Sequence, residues 1–160
     1  MLLLHVDKEN RMITKLLPEQ ISKFWPIIKH AIEESLPPTV GDHPDKMNRI
    51  LSSCLSGELD VWASYHKGES ESGIVFEGIG LTSILYDPPS NTKSLLIYCM
   101  FGYEKSLETS WIEAFEGVSE YAKSKGCSRI VAYSSVPYII ERAKQFGGNT
   151  DYTFISFPLK

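Results

Sequence analysis

The chain has 160 residues, of which 42% are hydrophobic and 22% charged, and this composition predicts one soluble globular domain spanning 1–160. A net charge of -4 gives no electrostatic footprint for a nucleic-acid partner, and the apolar runs are far too short to span a membrane. The opening MLLLHVDKEN is too short and wrongly flanked for a signal peptide, so a cytoplasmic location is expected.

The three cysteines, Cys54, Cys99 and Cys127, have no metal spacing and read as reduced, mostly buried thiols. The four histidines, His5, His30, His43 and His66, are scattered, and no metal site is expected.

In chain order, Leu2 to Val6 reads as a strand, Asp7 to Asn10 as a turn, and Met12 to Leu17 as a second extended piece. Ile21, Phe24, Trp25, Ile28, Ala31 and Ile32 then share a helical face. Pro26 either starts that helix or kinks it, and Leu36-Pro37-Pro38 ends it. Asp42 reads as the N-cap of a helix carrying Met47, Ile50, Leu51, Cys54 and Leu55, with Gly57 as its stop.

The middle of the chain predicts an antiparallel meander of three strands, Leu59 to Tyr65, Ile74 to Leu85 and Leu95 to Met100. Gly78 and Gly80 in the second strand point to a bulge or a close backbone approach. Asp87-Pro88-Pro89-Ser90-Asn91 is a strong turn signal.

A long helix follows, about Ser106 to Lys125, with Trp111, Phe115 and Val118 expected to face the sheet and Gly126 to end it. Arg129 to Tyr133 predicts a strand parallel to Leu95 to Met100, because a single helix is the usual crossover between parallel neighbours. A last helix capped by Ser134 or Ser135 ends at Gly147-Gly148, and Tyr152 to Phe157 alternates as a final strand. The fold class is therefore α/β (α+β). A mixed central sheet carries an antiparallel meander, then a parallel strand-helix-strand unit, with helices on both faces.

This order resembles the GNAT, or N-acetyltransferase, superfamily over nearly the whole chain. Gly57, Val61-Trp62, Trp111, the run Tyr121 to Cys127 and Gly147 are similar to small GNAT-like proteins of tailed phages. The resemblance implies an acyl-CoA pyrophosphate at the turn from Phe101 to Thr109. Phe101, Gly102, Tyr103, Lys105 and Ser106 are the residues placed to touch it.

The turn departs from the superfamily signature, Gln/Arg-x-x-Gly-x-Gly/Ala. Gly102 is its only glycine and comes early, while Glu104 and Glu108 set negative charge where a pyrophosphate would lie. The tyrosine that many members carry four residues before the glycine ending the last helix is replaced by Ala143. Tyr133, Ser134 and Tyr138 are the substitute proton donors, and Glu77 is the candidate general base.

Two functions follow from the resemblance. The first is a non-catalytic GNAT-fold module with no cofactor, phage-associated or virion-associated, working through a protein partner or self-association. The second is an acetyl-CoA-dependent N-acetyltransferase with an atypical phosphate turn.

Overall fold

Six strands and five helices follow one another in a computed structural model that describes residues 2–6, 11–103 and 108–160, with side chains for 11–103 and 111–160. The strands are β1 (Leu2–Val6), β2 (Met12–Lys15), β3 (Asp60–Lys67), β4 (Ile74–Asp87), β5 (Thr92–Gly102) and β6 (Cys127–Ala132). The helices are α1 (Pro18–Lys23), α2 (Trp25–Glu33), α3 (Lys46–Ser56), α4 (Glu108–Ser124) and α5 (Pro137–Gln145).

The strands form one sheet in the order β1-β2-β3-β4-β5-β6. The first four pairings are antiparallel. β5 and β6 are parallel neighbours, as the single intervening helix predicts.

Sequence punctuation sets the helix ends. Pro18 starts α1, and the Gln20 side chain reaches back to accept from the Leu17 N–H at 2.9 Å. The chain breaks at Phe24, and Pro26 sits in the first turn of α2, where its missing N–H costs nothing. Gly57 and Gly126 adopt the left-handed conformation, at φ 87° and 77°, that ends α3 and α4. Asp42 is not a cap: α3 begins after Asp45, and Asp42 instead pairs with Lys46 one turn on, at 3.4 Å.

Each sheet face has its own core. Ile21, Ile28, Ala31, Ile32, Ile50 and Cys54 of α1–α3 pack on Val61, Ala63, Tyr65, Ile79, Leu81 and Cys99 of the sheet. On the other face Tyr121 and Ala122 of α4 pack on Trp62 and Leu95, with Val118 and Ile130 beside them. Trp62 stands edge-on to Tyr121, 4.9 Å between ring centres, and its indole N–H donates to Thr82 Oγ1 at 2.8 Å. Tyr121 donates its hydroxyl to Asp60 at 2.7 Å, and Lys15 pairs with the other Asp60 oxygen at 3.3 Å. Burial first, and then that hydrogen bond, push the Tyr121 hydroxyl well above its ordinary pKa.

Three expectations are corrected. The buried stripe of α4 is its C-terminal Tyr121 and Ala122, whereas Trp111 is only half-buried and Phe115 is 37% exposed. Phe115 turns to α5 instead and stacks on Phe146, with ring centres 5.1 Å apart. Tyr133 lies past the end of β6 rather than within it. Tyr152 to Phe157 form no strand: among the described residues β6 has no second partner, and alternation without ladder hydrogen bonds does not hold an extended segment in a sheet. Tyr152 and Phe157 are consequently 86% and 81% exposed.

Two bulges shape one end of the sheet. Ser64 pairs with Gly78 and Tyr65 with Phe76, so Glu77 is the extra residue of β4. Leu81 pairs with Cys99 and Thr82 with Ile97, so Tyr98 is the extra residue of β5. The two glycines of β4 differ in crowding. A Cβ on Gly78 would meet the Phe101 carbonyl oxygen at 3.2 Å, and one on Gly80 would meet the Cys99 carbonyl oxygen at an ordinary 3.6 Å.

Two stability predictions follow from this packing. Gly78→Ala should cost about 1–2 kcal/mol, seen as a Tm lowered by roughly 3–6 °C, while Gly80→Ala should leave the Tm unchanged or raise it. Trp62→Ala should cost about 3–5 kcal/mol in chemical denaturation, and a midpoint that does not move would show that the α4 face is not packed as described.

Candidate active site

The pairing of β5 with β6 runs from Lys93↔Cys127 to Ile97↔Ala132 and stops there, while β5 continues to Gly102. The two strands therefore part at their C-terminal ends. Beyond Ile97, the side of β5 away from β4 pairs with no strand among the described residues. Tyr133 and Ser134 stand where β6 ends, on the far side of the gap. An unpaired strand edge opening beside the start of a crossover helix is a place where an extended ligand can take over the missing hydrogen bonds.

The bulge at Tyr98 decides what lines this gap. Leu95 and Ile97 belong to the α4 side, but after the extra residue Cys99, Phe101 and Tyr103 belong to the α1–α3 side. Phe101 stands edge-on to His30, 5.9 Å between ring centres, and to Tyr103 at 5.0 Å. The Tyr103 hydroxyl donates to the Ile27 carbonyl at 3.2 Å, and burial pushes it up to about 12. Both rings are thus committed to α2. Gly102 remains at the exposed end of β5, opposite Gly78.

The register sets Gly78 and Gly80 opposite Gly102 and Met100 on one side, and opposite Ser64 and Trp62 on the other. Cross-strand partners share a face, so both glycines lie on the α4 side with Trp62. A backbone carbonyl is the only described atom within 4 Å of the point where each Cβ would stand. The result is a bare backbone floor beside the gap.

A polar cluster borders this floor. The bulge aims the Glu77 carboxylate at β2 and β3. Its Oε2 accepts from Arg11 Nε in an ion pair and, at a long 3.5 Å, from Ser64 Oγ. Its Oε1 meets His66 Nδ1 at 3.0 Å. Arg11 is 6% exposed, while the His66 side chain is 37% exposed. Reading alternation alone left Glu77 either as a base or as an outward strand residue. The bulge that re-aims it was signalled only by the glycine pair that follows. His66 carried no sequence signal at all.

The remaining candidates are dispersed. The Ser134 hydroxyl accepts from the Val136 N–H at 3.1 Å and shapes the entry to α5. Tyr138 is exposed on α5 and accepts from Arg142 Nε at 3.2 Å. Tyr133 is 44% exposed, its ring edge-on to Phe154 at 5.5 Å. Glu104, Lys105 and Ser106 lie outside the described residues.

Burial pushes the Cys54 and Cys99 thiols up to about 12 and about 11, which removes them as nucleophiles at neutral pH. Among the described residues no group of three metal-ligating side chains comes together, and no helix is long and apolar enough to cross a membrane. A half-open hollow of about 280 Å³ lies elsewhere, between α1, the end of α3 and the start of β3. Its charged groups, Lys15 and Asp60, are already paired with each other.

No family model and no curated protein sequence matches the chain. Solved structures do. An aminoglycoside acetyltransferase from an uncultured soil metagenomic sample, in complex with sisomicin, is 13% identical, with a TM-score of 0.70, 98% of this chain and 100% of that one covered. AAC(6')-Iy in complex with a bisubstrate analogue containing CoA is 15% identical, with a TM-score of 0.67, 94% of this chain and 98% of that one covered. Ribosomal-protein-alanine N-acetyltransferase from Brucella melitensis biovar Abortus 2308 is 10% identical, with a TM-score of 0.64, 94% of this chain and 99% of that one covered. At these identities the likeness is one of architecture, and the fold of this chain is the GNAT N-acetyltransferase fold.

Proposed function

We propose that this protein is an acyl-CoA-dependent N-acyltransferase that acts on a primary amine. The observation that carries this reading is the parting of β5 and β6 after Ile97 and Ala132, beside a floor left bare by Gly78 and Gly80. A pantetheine arm carries two amides and can bond along the open side of β5 as a strand would. The acceptor then lies over the glycines, with its nitrogen facing the thioester. Similar folds bear names that include a ribosomal-protein alanine and aminoglycosides as acceptors. The chemistry they share is an amine nitrogen attacking an acyl carbon. The non-catalytic reading rests on the composition of the turn from Gly102 to Thr109 and on Ala143, and the phage association on the resemblance carried by Gly57, Val61-Trp62, Trp111, Tyr121 to Cys127 and Gly147; these comparisons lend neither any support.

The departing thiolate needs a proton. Tyr133 fits that role better than the other two candidates. It stands at the mouth of the gap, whereas the Ser134 hydroxyl serves the backbone and Tyr138 is turned to Arg142.

Calorimetry with acetyl-CoA should give a Kd near the micromolar range, about -8 kcal/mol, and a thiol-release assay with a panel of primary amines should show turnover. Tyr133→Phe should keep the affinity and lower kcat by roughly 10²-fold. Gly80→Ala should fold normally but raise KM, because its methyl group occupies the floor. Absence of both binding and thiol release at millimolar acetyl-CoA would sink the proposal and leave the non-catalytic module in its place.

A further inference from the structure

We infer that His66, held by Glu77, is the base that takes the proton from the amine acceptor; this rests on the acyltransferase reading above. Glu77 cannot serve directly, since both of its oxygens are engaged, Oε2 by Arg11 and Oε1 by His66. The Arg11 guanidinium pairs with the carboxylate on the side away from His66. An ionised carboxylate on Nδ1 holds the imidazole in the tautomer with the proton on Nδ1, which leaves the Nε2 lone pair as the acceptor. Nε2 makes no hydrogen bond to any described residue, and the His66 side chain is 37% exposed. Arginine, carboxylate and imidazole thus form a chain from a buried cation to an exposed lone pair.

Its position fits the reaction. His66 lies on β3, two residues beyond Ser64, which pairs with Gly78, which pairs in turn with Gly102 at the end of β5. The imidazole therefore borders the glycine floor on the side away from the gap. An acceptor lying across that floor would have the thioester on one side and His66 on the other.

The steps balance. The ammonium of the acceptor gives one proton to His66 Nε2 and becomes a neutral amine. The amine nitrogen bonds to the thioester carbon, and the carbon–sulfur bond breaks. The nitrogen's second proton leaves as the amide forms, and the thiolate gains one to become the CoA thiol. His66 returns its proton to water. The charged group in contact with the His66–Glu77 pair, among the described residues, is Arg11, just before β2, with Ser64 of β3 as the neutral neighbour.

The test compares wild type, His66→Gln, His66→Ala and Glu77→Gln with acetyl-CoA and the best amine of the panel. His66→Gln should lower kcat/KM by roughly 10²–10³-fold at neutral pH, with acetyl-CoA affinity unchanged by calorimetry. In wild type, kcat/KM should rise with pH through an imidazole titration, because only the neutral ring accepts a proton. In the glutamine variant that limb should be gone. Added imidazole should restore part of the rate of His66→Ala. Glu77→Gln should lower kcat/KM less than His66→Gln does and leave acetyl-CoA affinity unchanged, since the ring loses the carboxylate that orients it. Wild-type kcat/KM and an unchanged pH profile in His66→Gln would overturn the assignment while leaving the acyltransferase standing. Acetyl-CoA binding without turnover of any amine by wild type would overturn both.

Discussion

One extra residue in β5 governs one end of the sheet. Tyr98 is unpaired across from β4, and the side chains after it exchange faces. Before the bulge, Leu95 and Ile97 support α4; after it, Cys99, Phe101 and Tyr103 enter the core under α2. A strand that kept its alternation would send Phe101 and Tyr103 to the α4 side, over the gap. The bulge turns both rings to the opposite face. They join the larger core instead, where their burial contributes to stability and the Tyr103 hydroxyl finds the Ile27 carbonyl. The bulge lies next to the last β5–β6 pair, Ile97↔Ala132, so the strands part where β5 changes face.

The second bulge, at Glu77, does complementary work. It brings a carboxylate to the α4 side of the sheet within reach of β2 and β3, where Arg11 and His66 receive it. A carboxylate between a guanidinium and an imidazole is costly to bury alone and well satisfied in company. Gly78 follows immediately, close under the Phe101 carbonyl, and Gly80 extends the open surface. One end of the sheet thus has a dry side filled by aromatic rings and an open side with charge at its border.

Much of the fold was legible in the sequence because it depends on local rules. Pro26 and Gly57 marked real helix ends, and a single amphipathic helix between two apolar runs predicted the parallel pair. The site was less legible. Periodicity finds the faces of a regular strand, and the site is built where regularity fails. A bulge cannot be placed from alternation alone, so neither the partners of Glu77 nor the turn of Phe101 and Tyr103 toward α2 could be read from it. Trp111 and Phe115 were overvalued for a related reason: α4 packs through Tyr121 and Ala122, near the end where β5 and β6 still pair, and its earlier turns lie beside the parting strands. The C-terminal alternation misled because a strand is a property of a pair, and nothing local specifies the partner.

A crystal structure with CoA bound tests the central claim most directly. The account predicts the pantetheine arm along the open side of β5 past Ile97, with its sulfur between the end of that strand and Tyr133. Above Gly78 and Gly80 there should be an unfilled space for the acceptor. CoA bound elsewhere, or a gap closed by side chains in a protein saturated with CoA, would contradict it.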